Sequence, residues 1–136
     1  ATVTTPGTPK FFMKKEWFFF PLGLLLKSIG GIPVNRKKRG SLTDEVAAEF
    51  AKHKTFHIGI TPEGTRKPVK EWKKGFYQIA LKANVPIQLA YIDYHKKECG
   101  ITKLFYPTGN EKADMIEIRN FYKGVTARFP ERFIKL

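Results

Sequence analysis

Just after an apolar run, the six residues Thr61-Pro62-Glu63-Gly64-Thr65-Arg66 place a carboxylate and a guanidinium three positions apart, on a turn stiffened by proline and opened by glycine. Pro62 fixes its own φ and drives Thr61 out of the helical region, so the chain bends sharply there. Gly64 is free to take a positive φ or to let a ligand approach the backbone. Such a turn would present Arg66 as a planar fork for phosphate or carboxylate. Glu63 would accept from a ligand hydroxyl or brace a neighbouring arginine. A polyol phosphate suits both groups. The plainer alternative is a structural turn whose Glu63 and Arg66 form a surface pair worth less than about 1 kcal/mol. Spacing alone leaves both readings open.

Other residues with chemical capacity are the basic loop Asn35-Arg36-Lys37-Lys38-Arg39-Gly40 and the pair Lys73-Lys74. The loop is either a solvated face or a phosphate-binding rim. The two lysines fall in the first turn of an expected helix, where the macrodipole disfavours them unless an anion is present; ordinary surface lysines are the alternative. His53, His57 and His95 read as structural or surface residues, without a carboxylate at the spacing of a catalytic or metal pair. Cys99, the single cysteine, excludes an internal disulfide, argues mildly for a reducing compartment and reads as a small, semi-buried hydrophobe.

Positioning these groups takes a packed core, for which 136 residues at 42% hydrophobic and 14% aromatic content suffice. Residues 1–10, rich in Thr, Pro and Gly, read as a disordered leader, an expression remnant or the stub of a longer chain, and residues 11–136 as a single α/β domain. The balance of 25 basic against 12 acidic residues, a net charge of +13, directs the chain to anionic partners: nucleic acid, acidic membrane or phosphorylated small molecules. The most apolar stretch, Trp17 to Leu26, is half the length of roughly twenty residues that a spanning helix needs.

A strand ends within residues 11–17, and a helix over Leu22 to Ser28 stops at Gly30-Gly31. A short strand, Gly31 to Val34, follows. Ser41 and Asp44 match a capping box ahead of a helix to about His53, with Leu42, Val46, Ala47 and Phe50 along one stripe. Thr55 to Ile60 has the composition of a buried strand. A helix from near Glu71 to Lys82 places Trp72, Phe76, Ile79, Ala80 and Ala83 on one face and stops at Asn84. Strands at Val85 to Asp93 and Gly100 to Tyr106, a turn at residues 107–110 and a helix from Glu111 to Tyr122 complete the chain. This alternation predicts an α/β fold with a mixed, mainly parallel sheet flanked by helices, the basic loop and the 61–66 turn both leaving strands at the rim where ligands bind.

Taken in order, these blocks resemble the glycerolipid acyltransferase superfamily typified by 1-acylglycerol-3-phosphate acyltransferases. PLGLLLKSIGGIPVNR is similar to the family's second motif with its preceding helix, TPEGTR to the third, and WKKGFYQIALKANVPI to the following Lys-Lys-Gly helix and the Val-Pro-Ile of the fourth. The likeness covers about residues 11 to 95. It implies the family's fold and transfer of a fatty acyl group from a coenzyme A or acyl carrier protein thioester to the hydroxyl of a lysophospholipid or glycerol phosphate in phospholipid synthesis, with no cofactor beyond that co-substrate. By the same likeness Arg36 and Arg66 hold the acceptor phosphate, Glu63, Gly64 and Thr65 shape its pocket, Lys74 assists, and Val85, Pro86 and Ile87 brace the acyl region. The lysine-flanked apolar segment around Trp17 to Leu26 suits peripheral attachment to the cytoplasmic face of a membrane. No nucleic-acid fingerprint accompanies the charge.

The departures bear on activity. The family's first motif, a general-base histidine separated by four residues from an aspartate, has no counterpart before Arg36. Five positions beyond His53, His57 and His95 stand Ile58, Pro62 and Gly100; Asn35, Thr61 and Lys67 replace other motif residues. Loss of a general base costs a factor of about 100 to 10,000, so the chain is expected to be inactive as it stands, with no catalytic residue of its own. It is either an N-terminally incomplete enzyme, which the stub-like leader favours, or a non-catalytic lipid-phosphate or membrane-surface binding module. Incompleteness would expose an apolar patch or sheet edge and with it a homodimer or a detergent requirement.

Overall fold

The computed structural model describes residues 11–14, 19–28, 31–34, 41–65, 67 and 69–132. They belong to two compact units, Ala1–Thr61 and Pro62–Leu136. In the first, β1 (Phe11–Lys14) and β2 (Gly31–Val34) pair in parallel with Phe11 opposite Gly31 and Lys14 opposite Val34. A parallel pair needs a crossover connection, and α1 (Leu22–Ser28) lies in it. On α1, Gly23 and Leu26 are buried, whereas Phe19, Phe20, Leu24 and Leu25 at and just before it stand 60–83% exposed. α2 (Ser41–Lys52) follows, with Val46 buried and Leu42, Ala47 and Phe50 half-buried along the expected stripe. Phe50 meets Phe56 edge to face, with ring centroids 4.7 Å apart.

The segment 55–60 differs from expectation. Instead of a buried strand it holds a single bridge residue, Ile58, with Phe56 and Ile58 half-buried and the rest exposed. Gly59 sits within it, and a glycine offers a strand neither side-chain packing nor low backbone entropy. Among the described residues the strands accordingly form two sheets of two, one parallel and one antiparallel, in place of one mainly parallel sheet.

The second unit is a helical pair and a hairpin around one core. α3 (Gly75–Ala83) starts four residues later than its apolar periodicity predicts, and ahead of it the Lys73 N–H donates to Pro62 O at 2.8 Å. It ends as predicted at Asn84, which takes the left-handed conformation (φ 52, ψ 47) while Val85 N–H returns to Ala80 O at 3.0 Å. β3 (Ile87–Asp93) and β4 (Glu98–Phe105) form an antiparallel hairpin, Ile87 opposite Phe105 and Asp93 opposite Glu98, with an irregularity between Gln88 and Ala90. Asp93, buried at the hairpin end, accepts from the N–H groups of His95 and Lys96, each at 3.0 Å. α4 (Glu111–Phe121) opens on Asn110, whose side chain accepts from Ala113 N–H at 3.3 Å. Trp72, Leu89, Phe105, Met115 and Ile118 make the core, with Phe76, Ile87, Phe121 and Tyr122 packed against it. The Tyr122 ring meets the Trp72 ring edge to face at 5.6 Å. No helix among the described residues is long and apolar enough to cross a membrane.

Candidate functional site

The site begins at the turn after Thr61. Pro62 and Glu63 are half-buried, and Gly64 adopts φ +63, a conformation costly for residues with a Cβ. A Cβ at Gly64 would lie 3.1 Å from Lys73 Nζ and 3.2 Å from its Cδ, so the Lys73 side chain crosses the turn in the space the glycine leaves open. The backbone ties the same two segments through the Lys73 to Pro62 hydrogen bond. Thr65 Oγ1 accepts from Lys67 N–H at 3.2 Å, which orders the far side of the turn. Neither Glu63 nor Lys73 has an ion-pair partner among the described residues. α3 begins immediately after, with no side chain capping its first N–H groups. A lysine ammonium, a permissive glycine and an uncapped helix start thus meet within one unit, an arrangement that favours a phosphate oxygen.

Lys74 is placed differently from its neighbour. Its Nζ donates to Glu111 Oε1 at 2.6 Å, and Gln78 Nε2 donates to Glu111 Oε2 at 2.8 Å. The hydrogen bond and the charge of Glu111 raise the Lys74 pKa, and the hydrogen bonds of Lys74 and then Gln78 hold Glu111 below the usual carboxylate range. One turn deeper, Asp114 is buried and accepts from Tyr77 Oη, Thr108 N–H and Thr108 Oγ1, each at 2.7 Å. Burial alone would raise its pKa; the bonds from Thr108, Tyr77 and the Gly109 N–H outweigh that and hold it low. Burial, then the bond to Asp114, pushes the Tyr77 hydroxyl up. Arg36 and Arg66 lie outside the described residues. The structure therefore places Glu63, Gly64 and Thr65 on one turn, ties the Lys74 ammonium to Glu111 of α4, and adds Lys73, which the sequence presents only as half of a lysine pair. No signal within that pair singles it out: the two lysines differ only in their partners, and the Lys74 partner, Glu111, is distant in sequence.

The histidines lie elsewhere. His53 stacks on Phe56 at 5.6 Å, and its Nε2 is 3.5 Å from Glu49 Oε2, an i, i+4 pairing that the sequence reading leaves out. Glu49 also accepts from Lys52 at 2.7 Å, a bond that holds its carboxyl low. His57 is exposed, and His95 contributes its backbone N–H to Asp93. Cys99 is exposed on β4 opposite Ile92, not semi-buried as its residue type suggests, because the outer face of the hairpin is open. No group of three or more His, Cys, Asp or Glu side chains able to hold a metal ion occurs among the described residues.

The sequence matches the family model described as Acyltransferase over residues 1–92, more than half of the chain and inclusive of the 61–66 turn and α3. Searches of curated proteins and of solved structures returned no significant match. The permissive turn followed by the lysine-led helix lies inside the matched region, and the chain belongs to the acyltransferase family.

Proposed function

We propose that this chain carries the acceptor-binding part of an acyltransferase of phospholipid synthesis, in which a thioester-bound fatty acyl group passes to a hydroxyl of a lysophospholipid or glycerol phosphate. The observation that supports it best is the Lys73 ammonium lying across Gly64 at the uncapped start of α3. In this reading Lys73 and Arg66 meet the phosphate, the half-buried Glu63 accepts from an acceptor hydroxyl or braces Arg66, and Gly64 and Thr65 shape the turn. Holding the phosphate at these cationic groups orients the acceptor hydroxyl towards the thioester carbonyl. Deprotonating that hydroxyl is a separate task, and no histidine of this sequence precedes Arg36 to perform it. The test is thiol release from an acyl thioester in the presence of lysophosphatidate, for this chain and for a fusion carrying an upstream His-x4-Asp segment. Activity is expected only in the fusion and is lost on Lys73→Met; a fusion that folds and binds both substrates without releasing thiol refutes the reading.

A second reading, a peripheral lipid-phosphate binding module without catalysis, rests on the exposed apolar cluster Phe19, Phe20, Leu24 and Leu25 in a chain of net charge +13. On this reading the protein lies at the cytoplasmic surface of an anionic membrane. Binding to vesicles that needs anionic lipid and weakens with salt supports it, and salt-insensitive or absent binding refutes it.

A further inference from the structure

The two neighbouring ammonium groups at the start of α3 are divided between different partners: Lys73 Nζ lies over Gly64, while Lys74 Nζ is 2.6 Å from Glu111 Oε1. Glu111 is engaged at both oxygens, the second by Gln78 Nε2 at 2.8 Å. Lys74, Tyr77 and Gln78 stand at i, i+3 and i+4 and so share one face of α3. They meet Glu111 and Asp114, themselves i and i+3 on the first turn of α4. Both carboxylates sit where the α4 macrodipole favours negative charge. The start of α3 is thus held on α4 at two levels, an exposed one at Lys74 and Gln78 and a buried one at Tyr77.

We infer that Lys74 is a positioning residue and not a phosphate ligand: with Gln78 and Glu111 it fixes the start of α3, and so holds Lys73 across the Gly64 turn. The inference rests on the phosphate-binding reading of that turn. Two physical arguments separate the lysines. To serve a phosphate, Lys74 would have to share or break a charge-assisted bond to Glu111, and the bound anion would then lie close to a like-charged carboxylate. Lys73 has no carboxylate partner among the described residues and keeps its full field for the ligand. The Lys73 N–H to Pro62 O bond carries the placement of the helix start directly to the turn.

The test is a titration of the isotope-labelled chain with inorganic phosphate, followed through the backbone amide resonances of Gly64, Lys73 and Gly75. Lys74→Met and Glu111→Gln are each expected to shift the Gly64 amide before any phosphate is added and to raise the Kd by about two- to fivefold, the range of an exposed ion pair. The charge-swapped double variant Lys74→Glu with Glu111→Lys is expected to recover part of that loss. A Glu111→Gln variant that binds phosphate more tightly overturns the inference, because it would mean that Glu111 restrains a ligand. So does a lower melting temperature in Lys74→Met and Glu111→Gln with an unchanged Kd, and so does a double variant weaker than both single ones. Absence of any saturable shift in the unsubstituted chain refutes the phosphate site itself, a result distinct from a reversed sign at Glu111.

Discussion

Replacing Asp114 by asparagine tests how α3 is held on α4. The carboxylate is 3% exposed and accepts three hydrogen bonds of 2.7 Å, from Tyr77 Oη, Thr108 N–H and Thr108 Oγ1. Asparagine keeps one acceptor oxygen, loses the charge, and turns an N–H2 group towards groups that donate. Hydrogen bonds to a charged group contribute about 1.5–3 kcal/mol and neutral ones about 1 kcal/mol, so weakening all three and mismatching one comes to roughly 2–4 kcal/mol. The pH dependence follows from the direction of the Asp114 shift. Its pKa is lower in the folded than in the unfolded chain, so its contribution is complete above the unfolded value of about 4 and is lost as pH falls through the folded value. The Asp114→Asn variant has no group to titrate at this position, so the stability gap between the two proteins is expected to be full at neutral pH and to narrow below about pH 4. Urea denaturation of both proteins between about pH 7 and about pH 3 measures it. A gap under about 0.5 kcal/mol at neutral pH, the scale of ordinary surface substitutions, or one that stays constant into acid, would show that this network does not hold the helices. Tyr77→Phe supplies the control: in a double-mutant cycle with Asp114→Asn the two changes are expected to couple, since they share one bond.

Three further outcomes are expected. Gly64→Ala places a Cβ at positive φ and against Lys73, and is expected to cost about 1–2 kcal/mol and weaken phosphate binding. Gly75→Ala, where a Cβ meets nothing within 4 Å, should leave thermal stability unchanged or slightly raised; equal losses at both glycines would contradict the geometry. Asn84→Gly should be nearly neutral and Asn84→Val should cost about 1–2 kcal/mol in thermal denaturation, because the left-handed helix stop penalises a branched Cβ. Leu24→Ser with Leu25→Ser should leave the melting temperature close to that of the parent chain while reducing binding to anionic vesicles, since both side chains are at least 60% exposed; undiminished binding would locate membrane contact elsewhere.

The elements that could be read from the sequence are those specified locally. Asn84 acts at the helix end where its residue type points, and α2 and α4 run within a residue or two of expectation. The misjudged boundaries depend on partners distant in sequence. The first turn expected of α3 is instead non-helical and tied through Lys73 N–H to Pro62 O, an acceptor eleven positions earlier in the chain. The segment 55–60 has strand composition, yet it forms only the bridge at Ile58, because composition records how apolar a stretch is and not whether an edge is paired along its length.

The same distinction governs the candidate site. Proline, glycine and their neighbours define a permissive turn from six residues, and Gly64 takes the positive φ its type allows. Lys73 and Lys74 are chemically identical and adjacent, so nothing within that window separates a ligand from a brace. What separates them is a carboxylate 37 positions later, on a helix whose own start is set by Asn110. Glu111 is engaged by Lys74, and the lysine facing Gly64 has no carboxylate partner among the described residues. The electrostatic character of the turn is therefore decided by the packing of α3 on α4, and a substitution at Glu111 or Asp114 should reach the turn through Lys73 without touching it.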